Sequence, residues 1–296
     1  MKLSPYQVAA FTQTARAGSF SAAAEALGVT QSSITQHVQK LERSMGTRLF
    51  VRRHDGVELT HAGRDLFEVS DRLLVLEELV AEKVATYGAV DAGTLRIVAN
   101  APRPAMPLIR RYLETYPGVE VEFSLYDWTT TRSMVRNREV DLAIITDPDP
   151  PAGATVIKLD ETAYMAHMHR DHHLSARERI SLQDLQGEHL IVPEDGSLTQ
   201  IILNRKVGEL GLAMPNIIKT RTFPVVKEAV LHGIGIGLIL EDSLFPSTGL
   251  VAKPIVEMPE LYKHCLVIPS DKSDLRAIQR FIEISQQERK ADAAPF

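Results

Sequence analysis

One cysteine, one tryptophan and no long apolar run mark this 296-residue chain first by what it lacks. The lone thiol, Cys265, has no intrachain partner, so nothing calls for an oxidising compartment. No stretch approaches the ~20 apolar residues that span a bilayer. The opening MKLSPYQVAAFTQTARAG is interrupted by Gln, Thr and Arg, unlike the continuous apolar core of a secretory signal. GxSxG, Walker and HExxH patterns are missing, so no enzyme is expected. The expectation is a cytosolic protein without a membrane segment.

What is present fits a soluble globular chain of two or three units: 44% hydrophobic and 24% charged residues. The net charge of −5 conceals an asymmetry. Residues 1–64 carry eight Lys/Arg against four acids, a net +4, which leaves −9 on the remainder. A basic N-terminal module on an acidic bulk suggests two different partners, nucleic acid being the natural one for the basic part.

Within that module, residues 5–16 place Val8, Ala9, Phe11, Thr12 and Ala15 on one helical face, and Gly18 stops the pattern. A short Ala-rich helix follows from a Ser19 or Ser21 cap. Gly28 suits a tight left-handed turn, and Thr30 caps a third helix. There, Ile34, Val38, Leu41 and Met45 point inward, leaving Gln31, Ser32, Thr35, Gln36, Gln39 and Arg43 on the polar face. Glutamine can bridge the donor and acceptor edges of adenine, and hydroxyls can meet bases or phosphates, although a solvated face would look the same. Context favours the first reading: LFVRRHDGVELT reads as a hairpin carrying Arg52 and Arg53, the wing of a winged helix-turn-helix. Thr60 then caps a long helix running to Gly88. Leu66, Leu73, Val80 and Tyr87 recur every seven residues, with Val69 and Leu76 between and Lys83 as the break. Such a stripe calls for a partner helix, or else for packing on its own domain.

These segments, FxxxARAGSFSAAAEALGVTQSSITQHVQKLERSMGTRLFVRR followed by LTHAG and the long helix, resemble the LysR-type transcriptional regulators. The resemblance implies a winged helix-turn-helix over 1–60, a linker and dimerisation helix over 61–88 and an effector-binding domain over 89–296. DNA is addressed by Thr30, Gln31, Ser32, Ser33, Thr35, Gln36 and His37 with wing residues Arg52 and Arg53; Ser32 stands where relatives often carry proline. Dimerisation falls to Leu66, Val69, Leu73, Leu76 and Val80. The family commonly pairs dimers into tetramers, and RNA polymerase is a further partner to consider.

The rest of the chain agrees. From Gly93, strands and amphipathic helices alternate as βαβαβ, which indicates a parallel sheet covered on both faces. A second α/β unit starts near residue 162, and YKHCLVIP returns to the first. The fold class is therefore α+β and α/β, with a two-lobed, periplasmic-binding-protein-like C-terminal domain: lobe 1 about 91–161 and 266–296, lobe 2 about 162–265.

In such a fold, ligands sit where strands end and helices begin. The turns concerned hold Asn100, Ala101, Pro102 and Arg103; Trp128, Thr129 and Thr130; Thr146; Ser197, Leu198 and Thr199; and Thr222 and Phe223. Hydroxyls, free amides and positive helix ends favour a small anion, carboxylate or phosphonate, although ordinary N-capping would explain each hydroxyl singly. ANAP, DGSLT and VKEAVLHGIGIG are similar to the LysR subgroup that accompanies aminoethylphosphonate catabolism. Trp128 could shield a ligand or pack between lobes.

Other signals are weaker. His167 and His169 share a strand face and His172 and His173 follow, but spacing supplies no carboxylate or thiolate to complete a metal shell, and no metal or cofactor is expected. Gly233, Gly235 and Gly237 precede their strand, so they form no dinucleotide loop. Cys265 in CLVI reads as packing. The competing reading is a small-molecule-binding protein, or an enzyme using the α/β cleft, with the N-terminal helices as an assembly module.

Overall fold

The computed structural model describes residues 3–53, 56–85, 93–150, 153–244 and 247–292. It divides into two compact units, Met1–Val90 with Arg136–Glu139 and Ser270–Arg276, and Asp91–Val135 with Val140–Pro269 and Ala277–Phe296.

The first unit contains α1 (Pro5–Ala17), α2 (Phe20–Ala26), α3 (Gln31–Met45), a hairpin of β1 (Phe50–Arg53) and β2 (Gly56–Leu59), and α4 (His61–Ala85). Its helix starts are encoded locally: the Ser19 hydroxyl accepts from Ser21 N and Ala22 N, and Thr30 from Ser33 N. Phe11, Ala23, Ile34, Val38, Leu41, Leu49, Phe50 and Phe67 form its core. The hairpin pairs Phe50 with Leu59 and Arg53 with Gly56; the His54–Asp55 turn lies outside the described residues. This is the expected winged helix-turn-helix.

Two inward faces differ from the pattern. In α1 the buried set is Ala10, Phe11, Thr12 and Thr14, while Val8, Ala9 and Ala15 are half-buried. The threonines tolerate burial because each hydroxyl returns to the carbonyl four residues back, Thr12 to Val8 and Thr14 to Ala10. In α3, Met45 is 39% exposed and the buried end position belongs to Glu42. Glu42 Oε1 accepts from Leu49 N at 2.8 Å and Phe50 N at 3.4 Å, so a carboxylate anchors the start of the hairpin.

Helix α4 has two faces of different character. Gly63, Phe67, Ser70, Asp71 and Val75 are buried, and a Cβ at Gly63 would lie 2.2 Å from Leu49 O, so only glycine lets the first turn approach. Asp71 lies between two cations, with Arg16 Nε at 2.6 Å and Arg138 Nε at 2.5 Å; Arg138 also donates to both carboxylate oxygens of Asp271. Arg138 has φ +61°, a left-handed conformation costly for any residue with a Cβ and held here by its three bonds.

The second unit holds β3 (Gly93–Ala99), α5 (Met106–Thr115), β4 (Val119–Leu125), α6 (Trp128–Arg136), β5 (Leu142–Thr146), β6 (Ala154–His169), β7 (Leu190–Pro193), α7 (Leu198–Leu210), β8 (Ile217–Thr220), α8 (Phe223–Leu231), β9 (Ile236–Leu240), β10 (Leu250–Pro254), β11 (Leu261–Pro269) and α9 (Arg276–Asp292). The sheet runs β4-β3-β5-β11-β6-β9-β7-β8, with β10 on β6. Strands β3, β4 and β5 pair in parallel, as do β7, β8 and β9. Antiparallel β6 and β11 connect these two parallel sets. The first half of β6 pairs with β11 and its second half with β9 and β10, so it passes through the boundary expected near residue 162 instead of ending there.

Gly235, just before β9, and Gly237, within it, serve close packing: a Cβ at Gly235 would fall 2.1 Å from His189 O, and one at Gly237 2.9 Å from Val226. Cys265 is buried and burial pushes its thiol up, which fits a packing role.

Candidate DNA-contacting face and ligand cleft

Helix α3 presents Gln31, Ser32 and Gln36 to solvent, with Ser33, Thr35 and His37 half-exposed. Thr30, the exposed cap, shares its hydroxyl with Ser32 Oγ at 3.0 Å, and Thr35 Oγ1 donates to Gln31 O at 2.9 Å. The Thr35 proton and one proton of the Thr30–Ser32 pair therefore have local partners, while the hydroxyl oxygens keep accepting capacity outward. His37 is the exception in this group. Its ring lies 6.3 Å from that of Tyr6, and its Nδ1 is buried without a partner, so it sits at the edge of the polar face.

On the hairpin, Arg53 donates to Glu58 at 3.0 Å and remains more than half exposed. Arg52 pairs through its backbone with Val57; its side chain lies outside the described residues. Beyond the residues singled out for DNA in the sequence, Lys40, Arg43 and Arg48 are exposed on the same helix and the loop after it. Their signal was simply charge beside the polar face.

Of the dimer-stripe residues, Val69 (66% exposed), Leu73, Leu76 and Val80 (63%) lie open along α4, an apolar row that the first unit leaves uncovered. Leu66 differs: it packs against the core beside Phe67 and Phe50. Tyr87 lies outside the described residues.

In the second unit, a cavity of about 430 Å³ opens where β3, β4 and β7 end and α6, α7 and α8 begin. Nine of the residues named from sequence line it: Asn100, Ala101, Pro102, Trp128, Ser197, Leu198, Thr199, Thr222 and Phe223. The other four do not face it. Arg103 reaches away to Leu244 O at 3.4 Å. Thr146 is buried beneath the floor, where its amide donates to Asn100 Oδ1 at 2.8 Å, its hydroxyl accepts from Asn100 Nδ2, and its carbonyl accepts the Trp128 indole N–H at 2.8 Å. It positions two lining residues without touching the space itself.

Thr129 and Thr130 are diverted by capping and cross-cleft bonding. Asp127 caps α6, one oxygen accepting from Thr130 N at 3.0 Å and the other from the Thr130 hydroxyl. Thr129 reaches across the cleft, where its amide (3.2 Å) and hydroxyl (2.9 Å) both donate to Gly196 O. Asp127, immediately before the helix, was legible as an N-cap by residue type; Gly196 was not legible as its neighbour, because the approach joins residues 69 apart.

The lining is mainly apolar and aromatic, with Leu125, Tyr126, Tyr164, Pro193, Pro224 and Leu240 joining the residues above. These came from strands and turns without a polar signal. Tyr164 is buried, its phenol is pushed up by burial, and it accepts from Thr199 Oγ1 at 3.4 Å. The charged lining residues are Asp127, Glu194 and Arg221, and Arg221 pairs with Glu194 at 2.9 Å. The helix ends also differ in availability: α6 is capped by Asp127 and α7 by Ser197, whereas α8 has no side-chain cap.

Comparison with known proteins fixes the family. Residues 6–64 match the model of the bacterial regulatory helix-turn-helix protein, lysR family, and residues 88–290 the LysR substrate binding domain. The HTH-type transcriptional regulator XapR of Escherichia coli is 32% identical over 228 residues, covering 75% of this chain and 77% of XapR. A full-length OxyR variant from Pseudomonas aeruginosa has the same fold, with TM-score 0.78, 20% identity and coverage of 97% of this chain and 95% of that one. The regulatory domain of Synechocystis CcmR, in complex with 2-PG, aligns with TM-score 0.58 and 21% identity, covering 67% of this chain and 98% of that domain. With a helix-turn-helix whose third helix exposes amides and hydroxyls, and a cleft-bearing domain behind it, this chain belongs to the LysR family of DNA-binding transcriptional regulators.

Proposed function

We propose that the chain reads an operator through Thr30–His37, Arg52 and Arg53, pairs through the α4 row, and is switched by a small anion held in the cleft of the second unit. The observation that carries the ligand reading is the uncapped start of α8: Thr222, Phe223 and Pro224 line the cavity beside Arg221, with the Ser197 and Thr199 hydroxyls on the facing wall. The positive end of α8 favours one anionic group, to which Arg221 can turn by exchanging Glu194 for the ligand, and the apolar walls favour a compact body behind it. The regulatory domain of CcmR, which shares this fold, is in complex with 2-PG, and this supports a small-molecule ligand for the second unit.

Carboxylates and phosphonates are the classes to test first, the phosphonates because of the sequence likeness to the aminoethylphosphonate subgroup. Dimers joining into a tetramer, a cytoplasmic location and contact with RNA polymerase complete the proposal. Among the described residues, no helix is long and apolar enough to cross a membrane. A ligand changes operator binding only if it binds the two arrangements of the regulator unequally.

The test is a thermal-shift panel of small carboxylates, phosphonates, amino acids and neutral analogues on the full chain, since saturating ligand raises stability as RT ln(1 + [L]/Kd). An anionic hit abolished by Arg221→Ala is the expected result. Hits confined to neutral compounds, or unaffected by Arg221→Ala, would sink the anion reading.

A further inference from the structure

Within the His167–His173 segment the one carboxylate, Asp171, lies 3.7 Å from His169, and the fold brings a second to the two histidines that follow. Glu188, on the loop leading into β7, lies against the turn carrying His172 and His173, with His172 Nε2 3.4 Å from Glu188 Oε2 and His173 Nε2 3.4 Å from Oε1. The two imidazoles lie side by side, ring centroids 4.5 Å apart and planes 29° apart, with both ring tips facing one carboxylate. The three donor atoms all lie within 4.8 Å of one another.

A separation of 3.4 Å is well beyond the roughly 2.7–2.9 Å of a close charge-assisted hydrogen bond. It matches the edge of a tetrahedron whose metal–ligand bonds are about 2.1 Å, the length usual for zinc with imidazole nitrogen or carboxylate oxygen. We propose that His172, His173 and Glu188 form a site for a divalent zinc-like cation, with water in the remaining position. Two imidazoles and a carboxylate suit zinc and its first-row neighbours and exclude magnesium and calcium, which require oxygen shells.

The site needs modest rearrangement. His173 is 68% exposed, so its ring can swing the distance that brings the two nitrogens to ligand spacing. His172 Nδ1 accepts from Leu174 N at 3.3 Å, and a metal on Nε2 moves the ring proton to Nδ1, so that long bond must open. Its loss makes the site weaker than a dedicated structural one, with affinity in the micromolar range. A bound ion would clip the His172–Leu174 turn to the loop before β7, within one lobe.

The experiment is titration of chelator-stripped full chain with zinc chloride, followed by calorimetry and thermal melting, with magnesium chloride in parallel. The expected result is one zinc per chain and a higher Tm in zinc. His173→Ala and Glu188→Gln should each weaken binding at least ten-fold and remove the Tm rise, while His169→Ala leaves both intact. No zinc uptake at 100 μM, equal uptake by the two variants, or equal binding of magnesium would each overturn the assignment.

Discussion

Replacing Gly196 by alanine tests whether the cleft depends on a contact that only glycine allows. Gly196 has φ +89°, and a Cβ there would sit 2.8 Å from Asp127 Oδ1. Two costs follow. An L side chain at such φ loses about 1–2 kcal/mol. Pushing aside the Asp127 carboxylate weakens the α6 cap, worth about 1 kcal/mol. A loss of about 2–3 kcal/mol in a unit of some 200 residues lowers Tm by roughly 5–10 °C. The functional effect is separate, because displacement of residue 196 also breaks the two bonds from Thr129 that span the cleft, each worth about 0.5–1.5 kcal/mol. Effector affinity then falls by up to about 150-fold if the bonded arrangement is the one that binds. Thr129→Val separates the terms: it deletes only the hydroxyl bond and should weaken the effector while costing less than 1.5 kcal/mol of stability. Melting curves with and without the effector read both quantities. A Gly196→Ala protein melting within 1 °C of the parent would refute the steric argument, and unchanged effector affinity in both variants would refute the role of the cross-cleft bonds.

Three further outcomes follow from the same geometry. Arg52→Ala should weaken binding to every duplex and flatten its salt dependence by about one ion, whereas Gln31→Ala or Gln36→Ala should relax sequence preference by about 1–3 kcal/mol, as filter binding at several salt concentrations would show; parental behaviour on operator and random DNA would withdraw these residues. Leu73→Glu, placing a charge in the exposed α4 row, should shift the chain toward monomer in sedimentation while leaving its Tm nearly unchanged, and an unaltered assembly would mean that another surface pairs the chains. Burial pushes His167 down to about 4, against about 6.5 unfolded, and its Nε2 has no partner. The unfolded chain therefore binds the extra proton between those values, and stability present above pH 6.5 is lost as pH falls toward 4, by about 3 kcal/mol in all. Urea unfolding at pH 7 and 5 should show that slope and His167→Leu should flatten it; an equal slope in the variant would assign the effect elsewhere.

What was legible in the sequence followed from short-range rules. Caps at Ser19, Thr30 and Ser197, the i, i+4, i+7 run Ile34–Val38–Leu41 and the strand–helix alternation after Gly93 each depend on residues within a turn or two, and the structure repeats them. Nine of the thirteen residues expected at the cleft line the cavity for the same reason: they sit where strands hand over to helices. Two of the four that do not line it are hydroxyls with other acceptors: Thr129 bonds to Gly196 O, which is distant in sequence, and Thr130 to Asp127, the cap just before it. Leu66 fits the heptad, yet the core under the hairpin claims it first.

Glu42 and Glu188 show the same limit in carboxylates. Neither stands out in the sequence, yet one is drawn inward by two orphan amides and the other lies against two histidines whose backbone is more than a dozen residues away. A carboxylate accepts up to four bonds and carries a full charge, so its place is decided by whichever donors the tertiary fold leaves unmatched nearby. Periodicity counts apolar residues and cannot see unmatched donors. In this chain it therefore identified the helices and strands that build both sites, while the polar contacts that tune them, Asp127 beside Gly196, Glu42 under the hairpin and Glu188 beside the imidazoles, became visible only once the chain had closed on itself.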